Sequence, residues 1–230
     1  MKMLLEGKTI LVSGAKGGLG SFVTQELLSA GATVIGVSRS IRDSDFPSLN
    51  FRAMAAEIDG PETASAVIEK AGGALDGLVH LVGAFAGGAV AEETDVATFD
   101  RMMEMNFLPA LYLIRAVLPG MKAKRSGSLV AIGARTALEP RPGLSAYSVS
   151  KAALIAFMRT VAVENKQHGI SANVILPGTM DTPANRTAMP DADFSQWVDP
   201  RQVAHAVVHC VGDASRQMSG ALLPVYGAEL

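Results

Sequence analysis

Tyr147 and Lys151 stand four residues apart in the stretch GARTALEPRPGLSAYSVSK, residues 133 to 151. On a helix that spacing puts both side chains on one face. A free phenol titrates near pH ~10 and is a poor acid-base catalyst at neutral pH, but a nearby ammonium favours the phenolate and lowers that value. The expectation is a tyrosine made usable as proton donor and acceptor by its lysine neighbour.

A second constellation lies near the start of the chain. SGAKGGLG carries Gly14, Gly18 and Gly20 in the spacing G-x-x-x-G-x-G, directly after an apolar run and before a helix starting near Leu19. Glycines let the backbone turn sharply and approach a pyrophosphate, while a helix N-terminus offers unpaired N–H groups and partial positive charge. The next apolar run ends in VIGVSRS, so Ser38 stands where a dinucleotide site for NAD usually places a carboxylate, and Arg39 follows. A ribose 2′-phosphate needs a cation there and no acid. With Lys16 as a second positive charge, the pattern predicts NADP as cofactor, with NADPH preferred over NADH.

These residues need a frame, and the sequence provides one. Apolar, β-type runs at Thr9 to Ser13, Thr33 to Ser38, Phe51 to Ile58, Gly77 to Val82, Gly127 to Gly133, Ser171 to Leu176 and Ala221 to Val225 alternate with helical patterns near 18 to 30, 61 to 72, 94 to 120, 145 to 168 and 200 to 211. That alternation predicts an α/β fold, a Rossmann-type doubly wound domain over residues 1 to 230 with a mainly parallel sheet of about seven strands and helices on both faces. Several strand candidates are nearly continuous in Val, Ile and Leu, as strands covered on both faces should be. The interval from about 177 to 200 contains Pro177, Pro183, Pro190 and Pro200 and is too long for a passive connection. It is expected to cover the substrate.

Composition excludes other classes. A formal net charge of -2 provides no basic field for nucleic acid. The single cysteine, Cys210, permits no internal disulfide. The opening residues reach Glu6 and Lys8 before any signal-peptide core can form, and the most apolar later stretch, LDGLVHLVGAFAGGAVA, is broken by glycines, Asp76 and His80. A soluble, cytoplasmic protein with a small-molecule substrate is expected, with no metal, nucleic-acid or membrane partner.

The sequence as a whole resembles the short-chain dehydrogenase/reductase family. The resemblance implies that Gly14, Gly18, Leu19 and Gly20 form the cofactor loop, that Glu57 and Ile58 lie at the adenine end of the third strand, and that Gly83 is the matching glycine after the fourth. It implies a catalytic set of Tyr147, Lys151 and Asn106, with Lys151 also on the nicotinamide ribose, and a P-G-x-x-x-T stretch, Pro177, Gly178 and Thr182, over the nicotinamide carboxamide. Oligomerisation through the helices of 94 to 120 and 145 to 168, as homodimer or homotetramer, is implied too.

Two positions depart from the family pattern: HLVG replaces its Asn-Asn-Ala-Gly segment, and Ala134 stands where a catalytic serine is usual. As the end of a buried strand, His80 reads as a packed histidine. GARTAL and LPGTMDTPANRTAMPDADFSQW, Leu176 to Trp197, are similar to dihydropteridine reductases, which also carry alanine at the serine position. A serine hydroxyl would hydrogen-bond a carbonyl oxygen as charge develops on it; hydride addition to a quinonoid dihydropterin develops charge on ring nitrogen, where Tyr147 can deliver the proton alone. Ala134, Arg135, Asn185 and Arg186 are the accompanying substrate-site candidates, although spacing gives the last three no role beyond loop capping or surface charge. Two alternatives stay open: a carbonyl or 3-oxoacyl reductase in which Thr136 or a backbone N–H replaces the serine, and a non-catalytic NADP-binding sensor or scaffold.

Overall fold

A computed structural model describes residues 3–228. Its seven strands are β1 (Thr9–Ser13), β2 (Thr33–Ser38), β3 (Phe51–Ala55), β4 (Gly77–His80), β5 (Gly127–Ile132), β6 (Ile170–Pro177) and β7 (Leu222–Val225). All pairings are parallel, in the order β3-β2-β1-β4-β5-β6-β7. The order reverses between β1 and β4, so the loops leaving those two strands diverge and open a crevice at their carboxyl ends.

Seven α-helices flank the sheet: α1 (Gly20–Ser29), α2 (Pro61–Lys70), α3 (Val96–Asn106), α4 (Leu108–Lys124), α5 (Ser145–Asn165), α6 (Pro183–Ala188) and α7 (Pro200–Val211). Side chains alternate across a strand, and the two cores follow that alternation. Leu11, Leu78, Leu129 and Val174 meet α2, α4 and α5 on one face. Ile10, Val12, Val79, Val130 and Ile175 meet α1 and α7 on the other. With both faces covered, β5 and β6 are buried at every position, which explains their mostly apolar sequence. The segment Ser145–His168 has the length and hydropathy of a bilayer span. Its apolar side chains Leu154, Ile155, Met158, Val161 and Ala162 are instead packed into the first core.

Besides shifts of one or two residues at strand ends, such as β4 stopping at His80 rather than Val82, three differences from the sequence expectation have a physical reason. The helix expected over 94 to 120 is two helices, α3 and α4, separated at Phe107. Pro109 has no N–H to give to the carbonyl of Met105, so the helix ends and restarts with proline in its first turn. The strand expected over 51 to 58 stops at Ala55, which is paired with Ser38, the last residue of β2. The interval 177 to 200 contains α6, capped by the Thr182 hydroxyl accepting from Asn185 N–H, with Pro183 at its first position. A parallel bridge between Met180 and Val198 closes its base.

The sheet's last pairing depends on one buried amide. Asn173 in β6 donates through Nδ2 to Met218 O (2.8 Å) and accepts through Oδ1 from Ala221 N–H (3.0 Å), clamping the approach to β7. Asn173→Ala is expected to cost about 2 kcal/mol in denaturant unfolding, because both main-chain groups lose their partner in a buried place. An unchanged midpoint would show that the clamp contributes nothing to the edge.

Candidate active site

The glycine loop is tight because atoms leave it no choice. Gly14 adopts φ +81°, and its N–H donates to Val37 O at 2.8 Å, tying the loop to β2. A Cβ on Gly20 would lie 1.9 Å from Gly14 O, so only glycine lets α1 start so close under the turn. The N–H groups of Gly18 and Leu19 make no hydrogen bond among the described residues, and no acid or side-chain cap fills the first turn of α1. Free N–H groups at a helix start are what an anionic group requires. Thr182 closes the loop from above: its Cγ2 would be 3.8 Å from a Cβ on Gly18.

At the end of β2, the expected cation pair is present but already engaged. Lys16 N–H donates to Ser38 Oγ (3.1 Å), and its ammonium reaches Ser40 O (3.2 Å) and Asp45 (2.9 Å). Arg39 lies 3.7 Å from Glu57, both side chains highly exposed. Ile58 beside it is buried. Across the crevice, Pro177 ends β6 and Gly178 N–H is held by Val225 O at 2.9 Å.

Tyr147, Lys151 and Asn106 come together below the loop that follows β4. Lys151 is buried, and its Nζ donates to Ile132 O at 2.9 Å. Asn106 closes α3 fully buried, accepting from Ala84 N–H through Oδ1 (2.8 Å) and donating through Nδ2 to Ser150 Oγ (3.0 Å). Ser150 in turn donates to Tyr147 O at 2.7 Å. Ser150 is thus the strut between α3 and the catalytic turn of α5, a role invisible in sequence because the contact spans two helices. Gly83 is required at the junction: a Cβ there would be 2.7 Å from Asn106 Oδ1 and 3.1 Å from Lys151 Nζ.

The electrostatics correct one expectation. Burial pushes the Tyr147 phenol up to about 12, opposite to the lowering argued from Lys151. Its ring meets Phe85 edge-on, with centroids 5.1 Å apart, and loss of water around the phenol disfavours the phenolate. Phe85 was not singled out from sequence; only its place two residues beyond Gly83 marks it. Lys151 is itself lowered to about 8 by burial. His80 is a packed histidine: Nδ1 is 2.8 Å from Ser13 Oγ, and burial first, then the Lys151 ammonium, lowers it to about 3.

Ala134 is buried in extended backbone at the head of the site, without a hydroxyl to offer. Thr136 Oγ1 is shut away from solvent with no hydrogen-bond partner among the described residues. Arg135 pairs with Glu139 (2.6 Å) and lies 4.6 Å over the ring of Tyr226, two partners that sequence reasoning missed. Asn185 and Arg186 are engaged within their own segment. Asn185 Nδ2 donates to Met180 O, while Arg186 pairs twice with Asp181 and stacks on Phe194.

The buried ammonium has a measurable consequence. The folded-state value of Lys151 is depressed, so the unfolded chain binds more protons between about pH 8 and the ordinary lysine range. The cost of burying the charge is full below about pH 8 and fades as pH rises above it. Lys151→Met is therefore expected to raise the urea midpoint at pH 7, with the gain shrinking toward pH ~10.5. A gain independent of pH would show that side-chain packing, not the charge, is responsible.

Comparison with known proteins agrees with this geometry. The family described as short chain dehydrogenase matches residues 8–193. The 3-oxoacyl-(acyl-carrier-protein) reductase FabG of Vibrio cholerae is 30% identical over 240 residues, covering 98% of each chain. The short chain dehydrogenase ausX of Penicillium brasilianum is 24% identical, covering 97% of this chain and 96% of its own. Among solved structures, a short chain dehydrogenase/reductase family protein superposes with TM-score 0.90 at 28% identity over 98% of both chains. ElxO with NADP bound superposes with TM-score 0.89 at 24% identity, covering 96% of this chain and 97% of its own, and supports the fold. With the glycine loop, Tyr147, Lys151 and Asn106 in one crevice and the match running through most of its length, the chain belongs to the short-chain dehydrogenase family of oxidoreductases.

Proposed function

We propose that the protein is an NADPH-dependent reductase acting on a quinonoid dihydropterin or a related pteridine. The observation that carries this reading is the head of the site. Ala134 offers no hydroxyl, and the Thr136 hydroxyl is closed off from solvent without a partner, which leaves Tyr147 as the donor this reading relies on. A substrate that gathers charge on ring nitrogen needs one proton from one donor; a carbonyl oxygen gains from two.

The residues fit a dinucleotide. Gly14, Gly18, Leu19 and Gly20 supply a cradle that a Cβ would fill and unpaired N–H groups for a pyrophosphate. Lys16, Ser38 and Arg39 would meet the ribose 2′-phosphate, Ile58 the adenine, and Pro177, Gly178 and Thr182 the carboxamide. When bound, NADPH supplies the hydride. Tyr147 then gives its hydroxyl proton to the substrate, and its high pKa keeps that proton in place until it is needed. Lys151 favours the phenolate left behind. Asn106, fixed by Ala84 and Ser150, holds the turn of α5 in register with the loop after β4. Phe85 meets the Tyr147 ring edge-on and would offer an apolar neighbour to a planar substrate ring. The segment from 177 to 200 covers the pocket, stiffened by Arg186, Asp181 and Phe194. A homodimer or homotetramer in the cytoplasm, built on α4 and α5, completes the reading; Val149 and Val163 stand exposed on α5.

A second reading, reduction of a 3-oxoacyl thioester, is favoured by the 30% identity to the Vibrio cholerae reductase. Steady-state oxidation of NADPH, with NADH alongside, on quinonoid dihydropterin and on a 3-oxoacyl thioester separates the two. The pteridine should be the better substrate, Tyr147→Phe should lose at least ~100-fold in kcat, and Ala134→Ser should gain nothing. Reductive kcat/KM should fall above about pH 8, as Lys151 loses its proton. Faster turnover of the thioester, increased further by Ala134→Ser, would overturn the pteridine reading in favour of the second.

A further inference from the structure

Each cation expected to read the 2′-phosphate has an acidic partner from the chain, but the two pairs differ in kind. Arg39 and Glu57 are 80% and 65% exposed at 3.7 Å, a loose surface contact that an incoming anion can redirect. Lys16 is held more firmly. Its ammonium lies 2.9 Å from Asp45 and 3.2 Å from Ser40 O, and its own N–H is on Ser38 Oγ, the hydroxyl at the ribose end of β2.

Asp45 is also fixed by its surroundings. Its Oδ2 accepts Arg42 N–H at 2.8 Å, and its N–H donates to Arg42 O at 3.0 Å, closing a tight turn over Asp43–Asp45. The turn is pinned to β3 by Asp43 Oδ1 accepting from Ala53 N–H (2.7 Å), and by Phe46 packing on Phe51 with centroids 4.9 Å apart. A carboxylate placed this way is part of the site. Lys16 and Arg39 against Asp45 and Glu57 leave the 2′ position with no net charge.

We propose that Asp45 is the specificity-setting residue of the cofactor site, a resident carboxylate that competes with the 2′-phosphate for Lys16 and so limits the advantage of NADPH over NADH. This rests on the NADP reading of the site and deepens it. A phosphate of charge near −2 must share or displace Asp45 to reach Lys16, whereas an unphosphorylated ribose meets no such competition. Asp45→Asn keeps an oxygen for Arg42 N–H, removes the charge and leaves an amide NH2, which cannot accept from Lys16, in place of the other oxygen.

The test is direct binding to the full chain, by titration of NADPH and NADH fluorescence, for the native protein, Asp45→Asn, and Asp45→Asn with Lys16→Gln. Asp45→Asn should tighten NADPH about ten-fold and leave NADH unchanged, with the gain reduced in high salt. Adding Lys16→Gln should cancel the gain, since the two residues act as one pair. NADPH affinity that does not move, or equal shifts for both dinucleotides, would overturn the proposal while leaving the cofactor reading intact. If neither native protein nor variants bind either dinucleotide, the cofactor reading falls and the proposal with it.

Discussion

The register of Ser13 on His80, at the carboxyl ends of β1 and β4, is the constraint on which the site depends. The two central strands end level there, joined through Ser13 Oγ and His80 Nδ1, and the chain leaves them in opposite directions. One exit makes the glycine loop; the other makes Gly83, Ala84 and Phe85. The glycine loop and the loop through Gly83, Ala84 and Phe85 are thereby set side by side by strand pairing, and the helices that follow are positioned by the cores beneath them. Slipping β4 by one residue would exchange the faces of Leu78 and Val79 and carry Gly83 away from Asn106.

From that register, the catalytic group is built by close approach. Gly83 has no side chain because Asn106 and Lys151 occupy the space one would need. Asn106 is free to reach across because α3 stops at Phe107, and α3 stops there because Pro109 cannot continue its hydrogen bonds. A proline in what reads as a long helical pattern is therefore the reason that a polar side chain sits at a helix end beneath the active site. Ser150 then converts the position of α3 into the position of Tyr147.

Much of this was legible in the sequence, for physical reasons. All seven strands were found: the central ones, buried on both faces, cannot hide their composition, and the edge strands β3 and β7 keep short apolar runs; the glycine loop announces itself through positions where a side chain has no room. What escaped depends on distance in space. Local spacing placed Tyr147 beside Lys151 and suggested a lowered phenol, but the ring's cover comes from Phe85, sixty-two residues earlier, and burial decides the sign. Asn185 and Arg186 are substrate-site candidates through the resemblance of their segment, and spacing gives them no role of their own. Their partners Met180, Asp181 and Phe194 lie in that same segment, and only folded coordinates show the bonds already made. The helix α6 was written in Thr182 and Pro183, a cap followed by a first-turn proline, and was obscured by the prolines around it.

A common principle links the cofactor end of the crevice to its catalytic end. The groups expected to meet a ligand already have partners within the chain: Ile132 O for the Lys151 ammonium, Asp45 for Lys16, the Phe85 edge for Tyr147. Lys151 shows the cost, because one carbonyl does not restore the water it has lost and its proton is held less tightly. A ribose hydroxyl and a developing phenolate would give the same ammonium two further acceptors, and its charged form would be favoured again. Binding and the first movement of charge are therefore favoured by one residue for one reason. Tyr147 differs from the two cations in kind: its neighbour is the apolar edge of Phe85, and burial keeps its proton in place.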